Sequence, residues 1–223
     1  MHRRRRPGPR SPRAAAEHGT PAEPGAGPHR RGDCLSIVDG RIQQVGCETE
    51  HQYEVVLSRR MPPEVGDAYP PPLDTAVSPV CRGALPEYVG SPDAPASRLE
   101  ALSTWSDQQE WDRGDRWFAC LVVERGPDNE PLPRTGSLAG ALTGGLGSFR
   151  RCYVDEPLAD GPTRVVPCSR PHRSEAVPGV LDLGSPDEPA PGIDAMLDRT
   201  MPHCDRVVAD YLGGPRPGSS PTA

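Results

Sequence analysis

The sequence predicts an α+β chain made of two tandem, disulfide-stapled units, each a small sheet plus one helix, with the second unit incomplete. Three observations carry this. A Cys-x3-His-x2-Glu motif occurs twice, as Cys47-His51-Glu54 and as Cys168-His172-Glu175, and self-similarity at long spacing marks a repeated structural unit. Seven cysteines stand in 223 residues, and each motif has one upstream, Cys34 and Cys152. Apolar content is too low for one large core. Leu, Ile, Val and Phe supply 38 residues against 30 Pro and 24 Gly, and Pro plus Gly approaches the ~25–30% of unstructured chains. Small units bury too little surface to be stable unaided, so staples are expected.

Residues 1–31 hold eight arginines against Glu17 and Glu23, which predicts a solvated, disordered tail. The first unit is assigned to residues 32–142. Short strands are expected at Cys34–Val38 and Ile42–Cys47, around the hairpin pair Asp39-Gly40, and a third at Tyr53–Leu57. A Pro-rich connection covers 61–76. A short helix follows from Ser78/Pro79 to Val89, with Pro in its first turn and Gly90 at its end. Pro86 should kink or shorten it. Arg116–Glu124 reads as a buried strand, with Leu138–Leu142 pairing nearby. Gly144-Gly145-Leu146-Gly147 reads as a linker, lacking the Lys-Ser/Thr of a phosphate-binding loop.

The second unit, 148–214, repeats the first landmark by landmark. Pro79, Cys81, Tyr88 and Gly90 match Pro202, Cys204, Tyr211 and Gly213 in relative spacing. Its helix is expected from Pro202 to Leu212, with Cys204, Val207, Val208, Tyr211 and Leu212 on one face. A connection covers 184–192. No counterpart of the Trp117–Cys120 strand follows, and residues 215–223 form a Pro/Gly/Ser tail expected to be disordered.

Charge and hydropathy narrow the function. The chain has a formal net charge of −6, and everything beyond the basic tail is acidic, which argues against nucleic acid as a partner of the folded part. No apolar run reaches the ~18–20 residues of a membrane span, and none resembles the apolar core of a signal peptide.

The cysteines admit two chemistries. As metal ligands, Cys47/His51 and Cys168/His172 would act with Glu54 and Glu175, but the close Cys-x2–4-Cys pairs of structural zinc sites are absent. As disulfides, the pairs Cys34–Cys47, Cys81–Cys120 and Cys152–Cys168 leave Cys204 unpaired, and the missing counterpart of Cys120 accounts for the odd count. The first unit's four cysteines allow three connectivities. No metal or cofactor is expected. The unpaired Cys204 and the open sheet edge predict a homodimer. His51 and His172 are read as structural residues in tight loops. Strand signals flank them, and an offset of three on a strand would send His and Glu to opposite faces. No nucleophile elbow or HExxH accompanies them, so no catalytic residue is assigned. Trp105, Trp111 and Trp117 are read as core filling beside a disulfide.

Gly32-Asp33-Cys34, Cys47-x3-His51-x2-Glu54-Val55, Cys81 with Tyr88-Val89-Gly90, and Trp111-x2-Gly114-x-Arg116-x3-Cys120 resemble the septum-formation domain of actinobacterial envelope proteins. So do Cys152, Val166-Pro167-Cys168, Pro171-His172, Glu175-Ala176-Val177, and Cys204 with Tyr211-Leu212-Gly213. The resemblance covers about residues 32–214. It implies a tandem repeat facing outside the membrane, a role around cell division, and an envelope or division protein as partner. This chain departs from the family in having no export signal before residue 32 and no final Trp…Cys strand in its second unit, both expected of a shifted gene boundary. The expected function is that of a non-enzymatic envelope protein acting by binding. The alternative is a cytosolic metal-binding or hydrolytic domain using His51, Glu54, His172 and Glu175.

Overall fold

A computed structural model describes residues 27–127, 129–155, 164–184 and 189–214. Residues 1–26 and 215–223 of the expected tails lie outside these; residues 27–31 are described, and Arg30 is tied to Asp33 by two hydrogen bonds. Strands β1 (Cys34–Val38) and β2 (Arg41–Val45) form a hairpin. Asp39 and Gly40 both have positive φ, 51° and 74°, the combination a two-residue hairpin turn needs. β3 (Tyr53–Arg60), β4 (Leu99–Trp105) and β5 (Trp117–Glu124) complete an antiparallel sheet of order β2-β1-β3-β5-β4.

β5 explains why its sequence reads as an unbroken apolar run. It lies between two strands, and seven of its eight residues are buried. Its alternate side chains serve two cores. Phe118, Cys120 and Val122 join the larger cluster, under the helix, while Trp117, Ala119 and Leu121 join Leu35 and Val55 on the opposite face.

Helix α1 (Leu73–Ala76) leads into α2 (Ser78–Val89), which packs on β3, β4 and β5. Pro86 does not shorten α2; the helix runs through it to Val89. The missing N–H deprives only the Arg82 carbonyl, on the exposed side. Gly90 ends the helix at φ 82°. A Cβ there would stand 2.6 Å from Thr143 Oγ1 and 3.3 Å from Gly140 Cα, so glycine serves both the turn and the close approach of the next segment. That segment is no strand. Leu138–Leu142 forms turns that cap the helix, with the Gly140 and Leu142 N–H groups donating to the Tyr88 and Val89 carbonyls. Helix α3 (Gln108–Asp112) starts with a capping box between Asp107 and Glu110. Trp111 and Trp117 are buried, and Trp105 packs at the edge of the larger core.

The second region is much smaller. β6 (Cys152–Tyr153), β7 (Val165–Val166) and β8 (Ser174–Glu175) make a sheet of order β7-β6-β8. α4 (Ile193–Tyr211) begins well before Pro202, which lies inside it. The expected start at Pro202 fails because Ile193–Met201 is itself helical and the proline's lost bond falls on an exposed side. The sheet rests against residues 93–100 of the first region. The Arg98 N–H donates to the Phe149 carbonyl, the Arg151 N–H to Ala96, and the Gly179 and Val180 N–H groups to Asp93 Oδ1.

Candidate functional site

The two motifs occupy corresponding places. Cys34 on β1 faces Val45 on one side and Glu54 on the other. Cys152 on β6 faces Val166 and Glu175. Disulfides join Cys34–Cys47 and Cys152–Cys168, each with Cα atoms 5.2 Å apart. In both, the histidine precedes its strand in a tight turn. Its Nδ1–H donates over 2.8 Å to the carbonyl two residues back, Thr49 for His51 and Arg170 for His172. A third disulfide, Cys81–Cys120, ties α2 to β5. Cys204, at Cys81's place on α4, is free and exposed.

The expectation that His and Glu point to opposite faces is wrong. His172 Nε2 lies 2.9 Å from Glu175 Oε1, and the Cys34, His51 and Glu54 ligand atoms lie within 4.8 Å of one another. Strand alternation does not apply, because β3 starts at Tyr53 and β8 at Ser174, each two residues beyond the histidine.

A tyrosine completes each set. Tyr88 donates its hydroxyl to Glu54, and Tyr211 donates to Glu175. The two tyrosines stand at equal offsets in the sequence, but no local signal there assigns them a role.

Burial separates the sites. His51 and Glu54 are 0% and 1% exposed. They lie under the segment Arg134–Leu142, whose Ser137 hydroxyl and Leu138 N–H both donate to the Glu54 carboxylate. His51 and Arg134 exchange backbone hydrogen bonds, and the Gly136 N–H donates to the Cys47 carbonyl. With Glu54 so engaged, His51 Nε2 has no hydrogen-bond partner among the described residues. Burial and the hydrogen bond to Glu54 push the Tyr88 hydroxyl well above its usual range.

The second site is open. Glu175 receives Tyr211, His172 and Arg150, which together hold its carboxyl below the usual value. The bond to the Arg170 carbonyl, and then Glu175, raise the His172 imidazole above its usual value. With Nδ1–H already donating to the Arg170 carbonyl, a proton on Nε2 makes the bridge to Glu175 an ion pair.

Cys34-His51-Glu54 and Cys152-His172-Glu175 are the metal-like groupings among the described residues. Both cysteines sit in disulfides. Zinc binds the thiolate, so in this oxidised form each set offers only His and Glu.

A small sheet-and-helix protein stapled by disulfides, with both Glu carboxylates bound by Tyr, thus defines an oxidised α+β domain. Residues 31–223 match the Septum formation family, and the chain belongs to it. No curated protein and no solved structure matches it.

Proposed function

We infer that the protein is an extracytoplasmic envelope component that takes part in septum formation by binding another envelope or division protein rather than by catalysis. Family membership across residues 31–223 carries the reading. The three disulfides support the compartment, because such bonds form and persist where conditions oxidise. No helix among the described residues is long and apolar enough to cross a membrane.

The motif acts as a joint in this reading. In the first region it holds a loop down and is sealed from solvent, which no substrate reaches. The matched register and tyrosine bonds support two copies of one unit, with no counterpart of β5 or of the 134–142 segment among the described residues of the second. Two copies of the chain join through exposed Cys204 when no other partner is present.

The test is location and consequence. A fusion to a reporter that fluoresces only outside the cytoplasm should mark the division site, and depletion should delay septation. A cytoplasmic signal with normal septa would overturn the reading.

A further inference from the structure

The two sites differ in burial: Cys152 is buried like Cys34, but His172 and Glu175 are half-buried where His51 and Glu54 are sealed, and the helix positions differ more. On α2, Cys81, Leu85, Tyr88 and Val89 are 2%, 6%, 4% and 0% exposed. The same offsets on α4 are the exposed Cys204, and Val208, Tyr211 and Leu212 at 41%, 36% and 74%. Part of the cover on α2 is the segment Arg134–Leu142. It binds the carbonyls of Cys47, His51, Tyr88 and Val89, the N–H of His51, and both oxygens of Glu54. Each acceptor and donor recurs in Cys168, His172, Glu175, Tyr211 and Leu212. No described residue forms a β-bridge to His172.

We propose that the open face formed by His172, Glu175 and the end of α4 is a peptide-binding site, and that its ligand is an extended segment of a partner protein in which a Ser or Thr hydroxyl and the next N–H meet Glu175, followed by an apolar side chain against α4. The first region supplies the template. Arg-Thr-Gly-Ser-Leu at 134–138 bridges His51 with its backbone, places the hydroxyl and N–H on Glu54, and buries Leu138 completely. A second copy of the chain does not supply the ligand in its native form, because its own segment is held in its own first region.

Charge fits the same picture. The free second site satisfies Glu175 with His172 and Arg150. In the covered site Ser137 and Leu138 fill those places and His51 Nε2 is left without a partner. Glycine, Gly32, stands where the second unit has Arg150, two residues before the strand cysteine. The ligand therefore displaces His172 and Arg150 from Glu175.

The proposal rests on the reading of the protein as a binder, but its test is independent of location in the cell. The probe is a labelled synthetic peptide of residues 131–146, added to the oxidised full-length chain carrying Cys204→Ser to prevent dimers. Saturable binding is expected below about 1 mM. Replacing Ser137 of the peptide by Ala, or Glu175→Gln in the protein, should weaken it about ten-fold or more, as the loss of hydrogen bonds to a charged group requires. Arg150→Gly should strengthen it, a gain that misfolding cannot produce. The ring resonances of His172, and not those of His51, should move on binding. Absence of binding at that concentration overturns the proposal. So does binding indifferent to both Glu175→Gln and Arg150→Gly, which would place the peptide elsewhere. A septal protein that binds no such peptide would leave the functional reading standing and this site refuted.

Discussion

Tyr88→Phe removes one hydroxyl and leaves the ring in place. That hydroxyl donates to Glu54, and both residues are buried, at 4% and 1% exposure. A hydrogen bond to a charged group contributes ~1.5–3 kcal/mol, and a buried acceptor deprived of its donor has no water to replace it. Glu54 keeps Ser137 and the Leu138 N–H, which points to the lower part of that range, about 2 kcal/mol. For a unit of about 100 residues this lowers the melting temperature by roughly 8–16 °C. The paired variant Tyr211→Phe removes the matching bond to Glu175 at an exposed site, where water takes the place of the hydroxyl. It should leave stability unchanged within error. The assay is chemical denaturation of the oxidised protein, with a lower midpoint and an unchanged slope for Tyr88→Phe. Equal losses from both variants, or none from Tyr88→Phe, would refute the claim that the same bond is sealed in one place and open in the other.

Breaking Cys81–Cys120 by a double Ser substitution should cost about 4 kcal/mol in the chain-entropy account of its long loop, read by the same denaturation. Thiol counting and peptide mapping under native conditions should find one free cysteine, Cys204, and non-reducing gels a dimer that Cys204→Ser removes. The His172–Glu175 bridge should give the second region a pH window. The raised His172 value supports folding fully below about 6.5 and is lost as pH rises through the raised value. The lowered Glu175 value supports folding fully above about 4.5 and is lost as pH falls through the lowered value. Local protection of residues 164–184 should therefore peak between those two ordinary values and fall on either side, and His172→Gln should flatten the profile.

Sequence alone revealed much of the first region because its signals are local. Asp39-Gly40 can hardly be anything but a tight hairpin turn, Pro79 and Gly90 bracket α2, and the Trp117–Val123 run reads as a strand buried on both faces. β4 was missed. It is an edge strand of mostly half-buried residues, and Glu100, Ser103 and Thr104 blur its alternation. α3 was missed because five residues hold too little periodicity, although Asp107 and Glu110 spell its capping box. Pro202 misled in the opposite direction: at the place where Pro79 opens α2, it lies inside a longer helix. The His–Glu pairing depended on where the strand begins, a boundary set by hydrogen bonds to β1 and β6 and not by the motif. Least legible was burial. Leu85 and Val208 are apolar residues at matching offsets from Cys81 and Cys204, and only the tertiary presence of β5 and the 134–142 segment makes one core and the other surface.

Backbone hydrogen exchange at the two histidines tests the central claim most directly. The His51 N–H donates to the Arg134 carbonyl beneath a closed loop, so it should exchange only through opening of the first region. The His172 N–H has no bridge partner among the described residues and should exchange fast, as should residues 164–184 and 193–212 relative to 34–124. Adding the 131–146 peptide should slow His172 and leave His51 unaffected. Equal protection of the two amides in the free protein would contradict the account, because the second region would then already be closed.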